Sequence, residues 1–193
     1  MHRVDYHRTD YGPKQLTFWS IFEPIRGFFN KDMNIIEKVY VETSVVGAYF
    51  EERTDVVSVA QHFWTRKWWD ELRHQYDVVV SQAVTDELRH PNNPYSIETL
   101  ELIENVPEVS IEDEVKKIVK IYIQEQLMPK NPLGDALHLA LASYHKCDYL
   151  LTWNCKHIAN PNKFQKIRLC NYSMGLYVPS LVTPNQLIGG AYD

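Results

Sequence analysis

Four polar residues recur where the chain leaves a short apolar run or enters a helical one. Glu42 follows Val39-Tyr40-Val41, Glu87 lies in the helical stretch after Tyr76–Val80, Asp135 heads an apolar helix, and Asn154 follows Tyr149-Leu150-Leu151-Thr152. If the apolar runs are parallel strands, these side chains converge beyond the carboxyl edge of one sheet, where α/β proteins place their ligands. Carboxylates gathered in a low dielectric repel one another and require a cation, and hard oxygen donors favour Mg²⁺ or Mn²⁺. An ion held there can activate water and offset the charge of a phosphate undergoing in-line displacement. Taken one at a time, each acid also reads as a helix cap or a solvated charge, and spacing alone does not decide.

Neighbouring residues widen the choice. His138, three after Asp135 on the same helical face, can orient a phosphate or a water, or simply pack at a cleft rim. Asp86 competes with Glu87, but adjacent helical positions point about 100° apart, so only one can face the cleft. Trp153 and Tyr144 can stack on an unpaired base or belong to the core. His145, Cys147, Cys155 and His157 form a competing constellation of soft ligands suited to zinc, although the usual short spacing between cysteines is missing.

The elements that must position these residues alternate. Strands are expected at 39–41, 76–80 and 149–152, with a fourth at Ile167–Cys170. Helices are expected over 55–75, 83–89, 96–105 and 112–127, from Asp135 onward, and in short terminal pieces at 171–177 and 183–188. In the 55–75 helix the core stripe reads as Val57, Ala60, Trp64, Trp68 and Leu72. Such alternation implies an α/β domain with a parallel sheet and right-handed crossovers. Residues 1–32, aromatic and without a period, read as an N-terminal extension, with Met33 as an alternative start, and 33–193 as the domain.

Composition narrows the class. At 193 residues, with 45% hydrophobic and 23% charged residues, the chain has material for one domain with a sizeable core. Three cysteines suit a reducing cytoplasm, and no signal peptide or membrane span is apparent. The net charge of −5 argues against a partner held by bulk positive charge. That total hides a split: residues 86–129 hold ten acids against four bases, and 130–170 hold six bases against two acids. Lys130, Lys146, Lys156, Lys163, Lys166 and Arg168 therefore form a strip able to meet phosphates, or merely a solvated basic surface.

Val39-Tyr-Val-Glu-Thr-Ser44, Ala83-Val-Thr-Asp-Glu-Leu88, Leu133-Gly-Asp-Ala-Leu-His-Leu-Ala-Leu-Ala142 and Leu150-Leu-Thr-Trp-Asn154 resemble, in order and spacing, the four motifs of the PIN domain family and its VapC-like toxins. The resemblance covers about residues 36–190. It implies a three-layer sandwich around a parallel sheet and a Mg²⁺- or Mn²⁺-dependent endoribonuclease site. It also implies an antitoxin partner and a homodimer. Carried over by position, it assigns Glu42, Glu87 and Asp135 as metal ligands and Asn154 as the fourth site residue. Thr43, Ser44, His138 and Thr152 become supporting groups, with Lys130 and Lys156 toward the RNA. Glu42 and Asn154 stand where the family usually has Asp. The loss of one charge at Asn154 leaves a second expectation, a weakened or inactive PIN-like module that binds protein or RNA.

Overall fold

The computed structural model describes residues 36–131 and 133–189; the extension read at 1–32 lies outside the described residues. In chain order the elements are β1 (Lys38–Val41), α1 (Thr43–Tyr49), α2 (Val56–Lys67), β2 (Asp77–Ser81), α3 (Gln82–Leu88), α4 (Ser96–Ile103), β3 (Glu108–Val109), α5 (Asp113–Gln124), α6 (Asp135–Tyr144), β4 (Tyr149–Leu151), α7 (Pro161–Ser173), β5 (Ser180–Val182) and α8 (Pro184–Gly189). The five strands form one all-parallel sheet in the order β3-β2-β1-β4-β5. The strands are short and apolar because helices cover both faces, so no solvent-facing alternation is needed.

With right-handed crossovers, connections that run from β1 through β2 to β3 lie on one face, and those returning to β4 and β5 lie on the other. The contacts agree: α1 packs on α2, α3 and α4, while α5 packs on α6. The chain reverses its direction of travel between β1 and β4, which pair in register from Val39 against Tyr149 to Val41 against Leu151. That switch point is where an open parallel sheet leaves a crevice beyond its carboxyl ends.

The core centres on β1 and α6. Val39, Tyr40 and Val41 are fully buried, and every residue of α6 from Ala136 to Ser143 is buried. A helix apolar all round belongs in an interior, and α6 carries His138 into that interior.

Several elements depart from the sequence reading. Ile167–Cys170 is not a strand but the middle of α7. Asn160 caps that helix by accepting from the Asn162 amide, and Pro161 occupies its first turn. The expected helix at 171–177 ends instead at Ser173, beyond which Gly175 takes φ +67, and the edge strand forms at Ser180–Val182. β3 is only two residues long, too short to show a period. The helical path expected over 55–75 is continuous but changes pitch, widening to a π turn at Trp68–Leu72 and tightening at Arg73–Gln75. Its buried stripe also differs: Val57 and Ala60 face solvent, while Ser58 and Thr65 are buried with Trp68 and Leu72.

Candidate metal centre

β1 ends at Val41, and Glu42 continues its pairing by donating its amide to the Leu151 carbonyl at 3.0 Å. Glu42 precedes α1 at the position of an N-cap, yet its side chain makes no cap bond. Its carboxylate is buried, only 6% of the residue being exposed. Oε2 accepts from Thr152 Oγ1 at 2.8 Å and from Ser44 Oγ. The same hydroxyls hold the chain after β4: the Trp153 amide donates to Ser44 Oγ and the Asn154 amide to Thr152 Oγ1, each at 2.9 Å. The first and last motifs are thus tied into one unit.

Glu87 reaches the same place from α3. Its Oε2 accepts from Thr43 Oγ1 at 2.5 Å, and its Oε1 lies 3.3 Å from His138 Nε2. Asp86 points elsewhere, toward Gln82 and Arg89 on the exposed side of α3. The 100° between adjacent helical positions therefore leaves Glu87 as the acid facing the crevice.

His138 projects from buried α6 with 1% exposure. Its Nδ1 lies 2.8 Å from the Tyr40 hydroxyl, which lies 2.7 Å from Ser81 Oγ. Neither Tyr40 nor Ser81 was among the residues singled out from sequence. The available signal was a phenol in the middle of a strand buried on both faces, since a buried Tyr hydroxyl needs a partner. Ser81 precedes α3 in the N-cap position but makes no cap bond, its hydroxyl lying instead against Tyr40.

The electrostatics follow from this packing. Burial pulls the His138 imidazole down, but the hydrogen bond to Glu87 and the charges of Glu42, Glu87 and Asp135 outweigh it and hold the ring above the usual histidine range. Burial pushes Glu87 up, but His138 and the Thr43 hydroxyl bring it below the usual glutamate value. The Tyr40 phenol is driven far upward by burial, reinforced by the charges of Glu42 and Glu87 against the Ser81 bond.

Asp135 and Asn154 form a second group. Asn154 Nδ2 donates to Asp135 Oδ1 at 2.8 Å, and Asn154 Oδ1 accepts from the His157 amide at 3.1 Å. The partners allow one orientation of the amide, because a carboxylate only accepts and a backbone N–H only donates. The Asn154 oxygen is therefore engaged by backbone, and its amino group faces Asp135.

Glu42, Glu87 and His138 each bring one ligand atom within 4.8 Å of the others, and among the described residues this is the group of His, Cys, Asp and Glu side chains that can share an ion. Two carboxylates and an imidazole fit a divalent cation. The zinc constellation does not assemble: Cys147 is buried with its thiol pushed up to about 12 by desolvation, Cys155 is exposed, and His145 bonds the Ser110 carbonyl at 2.8 Å. Trp153 donates to Thr65 and Tyr144 to Glu112, each at 2.7 Å.

A cleft of about 860 Å³ borders the centre, shared between Glu42, Ser44, Trp153 and Asn154 and the loop residues Glu51, Arg53 and Tyr95. Lys130 and Lys156 are exposed on the segments that lead into Asp135 and away from Asn154. Two other lysines of the basic strip are engaged elsewhere: Lys163 Nζ donates to the Leu127 carbonyl at 2.9 Å and Lys166 Nζ to that of Glu125 at 2.5 Å, closing the end of α5. Comparison of the chain with protein-family models, curated proteins and solved structures returned no match. No helix among the described residues is long and apolar enough to cross a membrane.

Proposed function

We propose that this chain is a Mg²⁺- or Mn²⁺-dependent endoribonuclease of the VapC-like type, acting in the cytoplasm as the toxin of a toxin–antitoxin pair. The observation that supports the enzymatic reading best is the convergence of Glu42, Glu87 and His138 within 4.8 Å at the switch point of a parallel sheet. The antitoxin and a homodimer rest on the resemblance of the four sequence motifs to that family.

When bound, the cation supplies a polarised water and offsets charge on the phosphodiester. The chain's own residues do the rest. Glu42 and Glu87 present carboxylate oxygens held in place by Thr152, Ser44 and Thr43. Asp135 keeps its second oxygen clear of the Asn154 bond. Lys130 and Lys156 offer exposed positive charge to phosphates on either side. The decisive experiment is cleavage of RNA by the full chain with added Mn²⁺. Cleavage that stops with EDTA, and in Glu42→Gln and Asp135→Asn, supports the reading; cleavage that survives all three overturns it.

A second reading, a PIN-like module that binds without cleaving, is favoured by the Asn154 amide, which occupies an Asp135 oxygen. Wild-type chain that takes up Mn²⁺ yet leaves RNA intact, with cleavage emerging in Asn154→Asp, would establish that reading.

A further inference from the structure

We propose that His138 is a nitrogen ligand of the metal centre and that Tyr40 is the positioning residue that turns its Nε2 lone pair toward the two glutamates. This rests on the metal-centre reading above and goes beyond it, because it changes the donor set from all oxygen to mixed nitrogen and oxygen.

The argument begins with distances. Ligands about 2.1 Å from one ion lie about 3.0 Å apart at right angles and about 4.2 Å apart when opposite. His138 Nε2 and Glu87 Oε1 are 3.3 Å apart, close to the right-angle spacing. Without an ion the same two atoms share a hydrogen bond that is longer than the about 2.7–2.9 Å of a tight charge-assisted pair, and a cation would take the place of its proton. All three ligand atoms, Glu42 included, fit inside a 4.8 Å envelope.

The ring is also built as ligating histidines are. Such an imidazole gives its other N–H to an acceptor, which fixes the tautomer and leaves the remaining nitrogen free to coordinate. Here the Tyr40 oxygen stands 2.8 Å from Nδ1 and can accept that N–H while donating its own proton to Ser81 Oγ at 2.7 Å. Tyr40 is fully buried and Ser81 likewise, so water does not compete for the ring. Since α6 is buried around its whole circumference, His138 has no surface-exposed alternative position.

The consequence is selectivity. Imidazole nitrogen favours later divalent ions over Mg²⁺, so the site should take Mn²⁺ in preference to Mg²⁺ by more than its carboxylates alone would give. The test is electron spin-echo spectroscopy of Mn²⁺ added to the full chain, wild type against chain grown with ¹⁵N-histidine. A nitrogen coupling that changes with the label, and disappears in His138→Gln, supports the assignment. In Tyr40→Phe the coupling should persist while Mn²⁺ affinity falls by about tenfold; an unchanged affinity overturns the role given to Tyr40. Mn²⁺ that binds, is lost in Glu87→Gln, and shows no nitrogen coupling overturns the ligand assignment while leaving the nuclease reading intact. Failure of the chain to bind Mn²⁺ overturns both. The labelled wild-type measurement needs no substitution, so a poorly folding His138→Gln does not blunt it.

Discussion

Glu42 and Asp135 occupy similar places beside the same sheet crevice, but the chain holds them differently. Glu42 is buried, two hydroxyls donate to one of its oxygens, and the donors come from the two strand ends that flank the switch point. Glu87 is half-buried but is held at both oxygens, with Thr43 on one and His138 beside the other. Asp135 is only partly buried, opens its helix behind Gly134, and is held by a single side-chain amide. The two glutamates are thus held by four side-chain hydrogen bonds and Asp135 by one. If the proposed ion binds, the glutamates are the groups built to anchor it and Asp135 the group left to tune it.

The largest effect should come from breaking the glutamate half. Glu87→Gln removes a carboxylate charge and the partner of His138, and Mn²⁺ affinity measured by calorimetry should fall by about a hundredfold. Asp135→Asn should cost the same measurement only about tenfold, in the range of groups that tune a site rather than anchor it. If Asp135→Asn is the more damaging of the two for binding, the ion sits in the aspartate half and the contrast is reversed.

The same contrast explains what was legible in the sequence. The acids stood out because each follows a strand or lies on a helix beside one. Spacing alone left them readable as caps or solvated charges, and the resemblance of the four motifs selected them, whereas the parallel α/β pattern follows from alternation alone. Helix geometry allowed only one of Asp86 and Glu87 to face the crevice, and the family pattern selected Glu87. The Tyr40–Ser81–His138 chain was not legible, since it joins residues 41 and 98 positions apart whose local spacing carries no period. Local signals misled where a cap changed the outcome: Ile167–Cys170 is β-prone by composition, but Asn160 and Pro161 had already started a helix. They misled again in α2, where Val56, Val57, Val59 and Phe63 are exposed while Ser58 and Thr65 are buried, because packing against neighbours overrides hydrophobic spacing.

A smaller effect should sharpen the aspartate half. Asn154→Asp replaces the amide that donates to Asp135 with a second carboxylate at 2.8 Å. Like charges at that separation repel, so thermal melting in EDTA should move a few degrees below wild type. With Mn²⁺ present the order should invert, because added negative charge strengthens ion binding and binding to the native state raises its stability. Calorimetry should show Mn²⁺ affinity rising by about three- to tenfold. Equal melting of the two proteins in EDTA would mean that the Asn154–Asp135 bond holds nothing in place.

The smallest effect concerns pH in the metal-free protein and separates the two halves most directly. The His138 value is raised on folding, so its stabilisation is complete below the unfolded histidine value of about 6.5 and is lost as pH rises through the native value above it. The Glu87 value is lowered, so its stabilisation is present above the unfolded glutamate value of about 4.3 and is lost as pH falls through the native value beneath it. Melting followed in EDTA should therefore show the pair contributing fully between about pH 4.3 and 6.5, with a decline on the alkaline side. His138→Gln and Glu87→Gln should each flatten that alkaline decline. Asp135 is the weakest of the charges acting on His138, so Asp135→Asn should leave most of the slope in place. If Asp135→Asn flattens the curve as much as Glu87→Gln does, the imidazole senses both acids equally and the two halves form a single cluster.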